Sequence, residues 1–434
     1  MKIYKYPSKS ADKRLQTIEN RSIDFRKKDV SDVSRILQKV KKAGDAALID
    51  YTHQFDSKHV AQASLRVTKQ EIDDAKMSVG KPFIRALNRA ARQIQAFHQR
   101  QLQQSWISTE RDGVLLGQLI RPVDVAGVYV PGGKQGKTPL VSTVLMCTIP
   151  AKLAGVNRIC MLTPPMQNGR VNPHLLVAAK KAGVHEIYKA GSAWAIAAIA
   201  YGTETVPKAD VIVGPGNIYV TLAKKLVSGD VGIDMLAGPS EILILADTSA
   251  RPDYIAADLL SQAEHDVLAS AILVTTSAQL AQQVKTALNA QLEKLPRKKI
   301  AAPSLAKYGA ILQVADIGTA IELANRIAPE HLELQIKDPF DIIGKIRHAG
   351  AIFLGNHTPE PVGDYMAGPN HVLPTAGTAR YASALSVDHF TKKTSLIHYA
   401  EKAFRKDAAD IMQLAQVEGL DAHVRSVNIR LKGS

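Results

Sequence analysis

The sequence has little cysteine, few aromatic residues and no long apolar run. Only Cys147 and Cys160 occur among 434 residues, which excludes a disulfide framework and favours a reducing compartment. No run approaches the roughly 20 apolar residues that a membrane span needs. The residues after Met1 also lack the apolar core of a secretion signal. These absences predict a cytoplasmic protein with no membrane partner.

The net charge of +15 raises the question of a nucleic-acid partner. The basic residues are spread along the chain, and the nearest thing to a cluster is the short run Arg297-Lys298-Lys299. Aromatic residues make up 5% of the chain, too few to suggest stacking platforms for single strands. We therefore predict no nucleic-acid partner, and a non-catalytic metal or nucleic-acid binder stands as a disfavoured alternative.

Short apolar runs alternate with alanine-rich stretches of helical length from residue 125 onward. The runs lie at 125–130, 158–162, 186–188, 211–213, 242–246 and 271–275. Strand, helix and strand at this spacing predict βαβ units and a parallel sheet. The N-terminal third and residues 394–416 are helical in pattern, and a strand-like tail follows. No fixed-period repeat or low-complexity linker occurs, so we expect the domains to interleave.

Two glycine-rich turns follow predicted strands, and neither matches the Gly-x-Gly-x-x-Gly dinucleotide fingerprint. The run from Gly133 to Thr138 resembles a phosphate-binding loop, but Pro131 replaces its first glycine and Pro139 removes a backbone donor. The second turn, Gly214-Pro215-Gly216-Asn217, fits a tight turn and a ligand contact equally well. Any dinucleotide is therefore expected to bind in an unorthodox way.

Two motifs carry groups suited to acid–base and metal chemistry. In Ser261-Gln262-Ala263-Glu264-His265-Asp266, the predicted helix places Gln262 and His265 three residues apart on one face. Pro329-Glu330-His331 offers an adjacent carboxylate and imidazole, which suit proton transfer near neutral pH. Together they predict an enzyme that moves protons beside a cation.

Further candidate ligands lie in loops. Asp364 and His371 belong to a Gly/Pro-punctuated segment, and His423 follows the last long helix. Two imidazoles, one carboxylate and one amide oxygen suit Zn²⁺ or another borderline divalent ion. Taken singly, each histidine is equally typical of a structural hydrogen bond, so spacing alone leaves the metal site open.

Four long motifs carry a resemblance that extends over nearly the whole chain. They read GPGNIYVTLAKKLVSGDVGIDMLAGPSE, DLLSQAEHD, APEHLEL and GDYMAGPNHVLPTAGTARYASALSV. The chain thereby resembles the L-histidinol dehydrogenase family. This resemblance implies an α/β fold of two interleaved, incomplete Rossmann-like parallel-sheet domains with a helical N-terminal arm and a C-terminal helical tail. The expected boundaries are 1–24 for the arm, 25–127 with 240–325 and 128–239 with 326–385 for the domains, and 386–434 for the tail.

The resemblance also implies the reaction, two successive NAD⁺-dependent oxidations that convert an alcohol through an aldehyde to a carboxylate and complete histidine synthesis. One zinc ion per subunit would be held by Gln262, His265, Asp364 and His423. His331 would act as general base, and Glu330 would activate the water that adds to the aldehyde. Ser240 and Glu418 would contact the substrate together with His331 and the zinc ligands.

A shared site and an altered cofactor side follow from the same resemblance. The tail of family members crosses to the partner subunit, so Glu418 and His423 would complete the other site of a homodimer. Cofactor contacts are expected at Tyr129, Asn217 and position 194, where Trp194 stands in place of the family's usual glutamine. The indole would stack on the cofactor, and the longer Lys134-Gln135-Gly136-Lys137 stretch would meet its pyrophosphate.

Two enzymatic alternatives stay open at this point. A relative in the same superfamily would oxidise a different amino- or sulfo-alcohol with NAD⁺. A thiol-dependent aldehyde dehydrogenase would use Cys147 or Cys160, although both lie in apolar runs without an evident activating histidine.

Overall fold

The computed structural model describes residues 1–21, 25–133, 136 and 138–432 of the chain. The chain divides into two compact units, one from residues 1–101 and 123–390 and the other from 102–122 and the residues after 390. Within the described ranges, no helix combines the length and apolarity needed to cross a bilayer.

The larger unit alternates strands and helices. Its strands are β1 (Ile3–Lys5), β4 (Val125–Tyr129), β5 (Arg158–Thr163), β6 (Glu186–Lys189), β7 (Val211–Val213), β8 (Gly232–Ile233), β9 (Glu241–Ala246), β10 (Ser270–Thr275), β11 (Ala310–Gln313), β12 (His331–Gln335) and β13 (Ala351–Leu354). Its helices are α1 (Lys9–Glu19), α2 (Lys27–Phe55), α3 (Lys69–Ser78), α4 (Lys81–Gln99), α5 (Val141–Ala154), α6 (Pro173–Ala182), α7 (Ser192–Tyr201), α8 (Ile218–Val227), α9 (Pro252–Ala263), α10 (Ala278–Lys294), α11 (Lys298–Tyr308), α12 (Ile317–Ile327) and α13 (Glu360–Val362). A π-helical turn, Gly363–Ala367, follows α13.

The five-stranded sheet is parallel throughout and has the order β6-β5-β4-β7-β8. Its central strands are almost wholly apolar because helices cover both faces. Residues of α4, α5 and α6 pack on one face, and residues of α2, α7 and α8 pack on the other. Counted from β4, the strand order is the 3-2-1-4-5 of a Rossmann fold.

The six-stranded sheet is also parallel and has the order β1-β11-β10-β9-β12-β13. Residues of α1 and α12 pack on one face, and residues of α9, α10 and α11 pack on the other. Counted from β9, this sheet repeats the 3-2-1-4-5 order, with β1 added at one edge. The predicted α/β fold with parallel sheets is therefore confirmed, and the described residues of the N-terminal arm contribute one strand and one helix.

In the larger unit, the sheets group the strands differently from the expected domain boundaries, most clearly at two places. Strands β12 and β13 pair with β9, although residues 326–385 were expected in the other domain. Strand β4 lies wholly in the five-stranded sheet, although the expected boundary cuts it after residue 127. Apolar strands of both sheets look alike in sequence, and only the hydrogen-bonded register assigns each to its sheet.

The smaller unit contains an antiparallel sheet of order β14-β3-β2, formed by β2 (Trp106–Arg111), β3 (Val114–Pro122) and β14 (Thr391–Tyr399). Two helices follow, α14 (Glu401–Val417) and α15 (Asp421–Lys432). The prediction that residues 394–416 form one helix with a strand-like tail is wrong, since a strand runs to Tyr399 and the tail is helical. The strand Thr391–Tyr399 is mostly exposed and polar, so it lacks the apolar alternation that marks a strand.

Candidate active site

The candidate active site begins at the amino edge of the six-stranded sheet. Glu330 directly precedes β12, His331 is its first residue, and Ser240 directly precedes β9. Because β12 and β9 are parallel neighbours with His331 opposite Ile242, these strand starts lie side by side. Two motifs that are distant in sequence are thereby brought together.

Glu241 holds this edge in place. Its backbone N–H donates to Glu330 Oε2 at 2.9 Å, and its own carboxylate accepts the N–H groups of Glu330 at 3.2 Å and Ala376 at 2.9 Å. Arg21 completes the network with a buried ion pair of 2.6 Å to Glu241 Oε2. A buried carboxylate needs such partners, and Glu241 in turn fixes Glu330.

The hydrogen bond made by His331 sets its tautomer. Nδ1 lies 3.0 Å from the Glu241 carbonyl oxygen, which can only accept, so Nδ1 carries the proton and Nε2 is left with its lone pair. Burial lowers the pKa of His331 to about 4, against the opposing charge of Asp364. The imidazole is therefore neutral at neutral pH and can accept a proton at Nε2.

Glu330 has the opposite electrostatic environment. Burial raises its pKa well above the ordinary value, and the charges of Glu241 and Asp364 add to the effect. The hydrogen bond from the Glu241 N–H and the Arg21 guanidinium oppose it. Its carboxylate is thus a stronger base than a solvent-exposed one once it is ionised.

Gln262 and His265 approach the same edge from the end of α9. The helix follows β9 and runs back across the sheet, so its C-terminus lies near the strand starts. The helix predicted to carry both residues ends at Ala263, so only Gln262 lies on α9. His265 lies in the next turn, where its N–H donates to the Gln262 carbonyl at 3.2 Å and Asp266 accepts from Leu268 N–H at 2.9 Å.

Two carboxylates and a further histidine complete the cluster in the larger unit. One ligand atom each of His331, Glu360 and Asp364 lies within 4.8 Å of the others. His371 Nδ1 is 3.6 Å from Asp364 Oδ1. His265 is close enough that its positive charge would lower the pKa of both His331 and His371.

The donor set fits a divalent metal ion. The Gln262 side chain is fully buried, and neither its oxygen nor its nitrogen has a hydrogen-bond partner among the described residues. His371 Nδ1 also lacks one. Buried polar atoms without partners are costly, and imidazole, carboxylate and amide donors are those that zinc accepts. The residues present therefore suit a zinc ion at this edge.

The expected cofactor contacts lie at the carboxyl edge of the five-stranded sheet. Tyr129 ends β4, and Asn217 caps α8 just after β7. The order of the sheet reverses between these two strands, which is where ligands bind in open α/β folds. A Cβ on Gly214 would lie 2.1 Å from the Tyr129 carbonyl oxygen, so the turn after β7 requires glycine there.

Both contacts already have structural roles. Tyr129 is buried, and its hydroxyl accepts the N–H of Ser192 at 3.0 Å. The Asn217 side-chain oxygen accepts the N–H groups of Tyr219 at 3.0 Å and Val220 at 3.1 Å. Helix capping uses only the side-chain oxygen of Asn217 and not its amide nitrogen. Lys134, Gln135 and Lys137 of the longer loop lie outside the described residues.

Glu418 and His423 belong to the smaller unit. Glu418 ends α14, and His423 lies in the first turn of α15. Both line a groove of about 610 Å³ with apolar neighbours that include Ile411, Leu414, Leu420 and Val427. The roles of both residues toward substrate and metal stay predictions.

Comparison with known proteins identifies the family. The histidinol dehydrogenase family model matches residues 19–431. A histidinol dehydrogenase of Desulfotalea psychrophila is 56% identical over 402 residues, covering 93% of both chains. One of Clostridium acetobutylicum is 50% identical over 425 residues, covering 98% of this chain and 97% of its own. The chain belongs to the histidinol dehydrogenase family.

A solved structure agrees with this membership. The crystal structure of histidinol dehydrogenase from Elizabethkingia anophelis has a TM-score of 0.93 and 40% sequence identity. The match covers 100% of this chain and 98% of that one.

Trp194 departs from the glutamine expected in a histidinol dehydrogenase at this position. Its ring is 6% exposed and stacks on Phe55 with centroids 5.2 Å apart and on Tyr51 at 6.0 Å. The indole is therefore packed against α2 inside the protein, and its stacking on the cofactor stays a prediction.

Sequence reasoning missed four residues that organise this histidinol dehydrogenase site: Arg21, Glu241, Glu333 and Glu360. Glu241 and Glu333 are charged residues in buried, otherwise mainly apolar strands, which is itself a signal. Glu360 precedes Asp364 by four residues, a helical spacing. Arg21 has no local signal, since it meets Glu241 only in the folded chain.

The two cysteines of this family member are unsuited to nucleophilic catalysis. Both are fully buried. Burial raises the pKa of the Cys160 thiol to about 12 and raises that of Cys147 as well. A thiolate is the reactive form, so the thiol-dependent alternative has no support here.

Proposed function

We propose that this chain oxidises L-histidinol through L-histidinal to L-histidine in two NAD⁺-linked steps. The observation that carries the proposal is the neutral His331, whose Nε2 is free to accept a proton beside the buried Glu330. An alcohol oxidation needs such a base because the hydroxyl proton leaves with the hydride.

In the first oxidation, His331 Nε2 would take the hydroxyl proton, and NAD⁺ when bound would supply the hydride acceptor, so that the alcohol becomes the aldehyde. In the second, the Glu330 carboxylate takes a proton from the water that adds to the aldehyde carbon. A second NAD⁺ would supply the acceptor for the hydride of the hydrated aldehyde, which becomes the carboxylic acid. Two bases with separate positions suit two deprotonations at different stages.

Zinc would be held by Gln262, His265 and Asp364, with His423 as the fourth ligand. When bound, the ion supplies an anchor that orients the amine and imidazole nitrogens of the substrate. Glu241 holds both bases in register through its contacts to Glu330 and His331. The fit rests on the Gln262 amide, which is buried with no other partner among the described residues.

A homodimer would complete the site, with Glu418 and His423 of one subunit reaching the other. The support is the exposed apolar surface beside these residues, where Leu414 is 68% and Val417 is 78% exposed. Such a surface on a helix pair is typical of an interface. Glu418 would offset part of the positive charge of the substrate.

NAD⁺ would bind at the carboxyl edge of the five-stranded sheet, between Tyr129 and Asn217. A short segment of the chain, from Asp234 to Ser240, connects this edge to the strand starts that carry the bases. Asp234 accepts the Gly214 N–H at 2.8 Å, and Ser240 follows six residues later. Six residues span at most about 20 Å, so cofactor and substrate edges are near neighbours.

The test measures NADH formation at 340 nm from L-histidinol as isolated, after chelation and after Zn²⁺ is restored. We expect formation of two NADH per histidinol, loss of turnover on chelation and recovery with zinc. Product analysis would identify histidine. Turnover of another amino- or sulfo-alcohol without turnover of histidinol would favour the other superfamily activity instead.

A further inference from the structure

A row of polar side chains runs along β12, away from the candidate site. Side chains alternate between the two faces of a sheet along each strand. Leu332 and Leu334 pack with residues of α1 and α12 on one face. His331, Glu333 and Gln335 therefore lie on the opposite face, where α9 packs. Glu333 and Gln335 are buried and have no part in the proposed proton transfers.

Asp258 of α9 is bonded to this row. The Gln335 amide nitrogen donates to Asp258 Oδ2 at 2.8 Å and to Glu333 Oε2 at 2.8 Å. The two carboxyl groups also hydrogen-bond each other, which requires that one of them is protonated. Burial raises the pKa of both groups, that of Glu333 to about 8, so the pair retains this proton at neutral pH.

This acid pair is attached to both segments of the larger unit that carry expected zinc ligands. Gln262 follows Asp258 by four residues, so it lies one helical turn away on the same face of α9. Glu333 Oε1 accepts the N–H of Glu360 at 2.9 Å, and Asp364 follows Glu360 by four residues. The pair therefore joins α9, β12 and α13 about one turn before each expected ligand.

Apolar side chains would hold these elements together at a lower desolvation cost. Leu259 and Ile244, for example, pack in the apolar cluster between α9 and the sheet. Buried hydrogen bonds, in contrast, fix the register of the elements that they join. The Gln262 side chain depends on such a register, because neither of its polar atoms has a hydrogen-bond partner among the described residues.

We propose that Asp258 and Glu333 are positioning residues that hold the zinc ligands in place. Asp258 fixes Gln262 through the register of α9, and Glu333 fixes Asp364 through the backbone of Glu360. The inference rests on the proposed function for the identity of the metal. Without the hydrogen bonds of the pair, α9 can shift along β12, which moves the Gln262 oxygen and weakens metal binding.

The first test measures the zinc dissociation constant of the full chain by competition with a chromogenic chelator, which needs no turnover. Asp258→Leu keeps a similar side-chain volume but loses the hydrogen bonds, so zinc binding should weaken about 10- to 100-fold. Asp258→Asn keeps an acceptor for Gln335 and a donor to Glu333, and it should bind zinc as wild type does. Asp253→Asn removes an exposed carboxylate from the same helix and serves as the matched control.

The second test separates positioning from stability. Leu288→Ala leaves a cavity in the apolar cluster under α10, so it should destabilise the fold and leave zinc affinity unchanged. Glu333→Leu should weaken zinc binding, whereas Glu333→Gln keeps the acceptor for the Glu360 N–H and should not. Denaturant unfolding of the zinc-free forms compares their stabilities. If Asp258→Leu does not fold, Asp258→Ala, which adds no bulk, replaces it in the comparison.

The outcomes distinguish this proposal from the proposed function. Wild type that binds zinc but does not oxidise histidinol, together with weakened zinc binding in Asp258→Leu, contradicts the proposed function and supports the positioning role. Wild type that oxidises histidinol, with the same zinc affinity in Asp258→Leu, overturns the positioning role. Equal losses of zinc affinity in Asp258→Leu and Leu288→Ala also overturn it, because stability would then be the cause.

Discussion

The larger unit contains the same five-strand order twice, but opposite edges of its two sheets carry the candidate sites. In the five-stranded sheet, Tyr129 and Asn217 lie at the carboxyl edge, where the strand order reverses. In the six-stranded sheet, Ser240, Glu330 and His331 lie at the amino edge. Because the two sheets share one strand order, topology alone does not determine which edge carries the candidate acid–base residues. The position of the buried charged side chains determines it.

The composition of the strands reflects this difference. Strands β4 and β7 are wholly apolar apart from Tyr129, as expected for a sheet that only supports loops. Strands β9 and β12 contain Glu241, Glu333 and Gln335, all buried. One sheet presents the loops at which the cofactor is proposed to bind, and the other holds acids and bases in a low-dielectric environment that shifts their pKa values.

Replacing the base at the amino edge should give the largest effect. His331→Asn keeps a polar side chain but removes the free Nε2, so kcat should fall about 10³-fold while the KM for both substrates changes little. Stopped-flow measurement of the first hydride transfer checks the step. His398→Asn, an exposed histidine of β14, is the control, and a kcat within twofold of wild type in His331→Asn would remove this edge from the chemistry.

Replacing the cap at the carboxyl edge should affect binding instead of turnover. Asn217→Ser keeps an oxygen that caps α8 but lacks the amide nitrogen, so the KM for NAD⁺ should rise several-fold at constant stability. Asn217→Ala should lose the cap as well and cost about 1 kcal/mol of unfolding free energy. Thermal melts beside cofactor titrations distinguish the two, and an equal KM in wild type and Asn217→Ser would break the assignment of this edge.

The smallest effect on the reaction itself should come from Glu333, a buried acid below the amino edge whose replacement by glutamine acts on stability. Burial raises the pKa of Glu333 to about 8, with Asp258 as a further cause. Because the folded state favours the protonated acid, its contribution to stability is present below the ordinary pKa of about 4.5 and is lost as pH rises toward 8. Glu333→Gln cannot ionise, so its unfolding free energy should decline less between pH 5 and pH 8, by about 1–2 kcal/mol.

Denaturant unfolding at several pH values checks this expectation. The variant remains compatible with its neighbours, since its oxygen can still accept the Glu360 N–H and the Gln335 amide can reorient. Parallel pH curves for wild type and Glu333→Gln would contradict it.

Sequence patterns predicted the strands of both sheets where the runs are buried and apolar. They failed at β14, whose exposed and polar residues are held by pairing with β3 rather than by any local preference. They also misplaced His265, because the Asp266 side chain bonds to Leu268 N–H and favours a turn over another helical residue.

In the candidate site, too, residues with a local sequence signal were predicted and residues placed by the fold were not. The motifs supplied Glu330, His331, Gln262 and Asp364, each conspicuous in its own segment. Arg21 and Glu241 could not be paired from sequence, since 220 residues separate them and only the fold brings them into contact. The role of Trp194 likewise depends on Phe55, a neighbour in space that its own segment does not reveal.

The segment from Asp234 to Ser240 is anchored along its length. Asp234 bonds to Gly214 and pairs with buried Lys224, Gly238 N–H donates to Thr375 Oγ1 at 2.5 Å, and the Pro239 carbonyl accepts from Arg21 at 3.2 Å. Because this segment is held at so many points, a displacement at one of its ends is passed on to the other end. Substitutions at its two ends should therefore have non-additive effects on the free energy of unfolding in a double-mutant cycle. The proposed cofactor edge and the edge that carries the bases would then be energetically coupled.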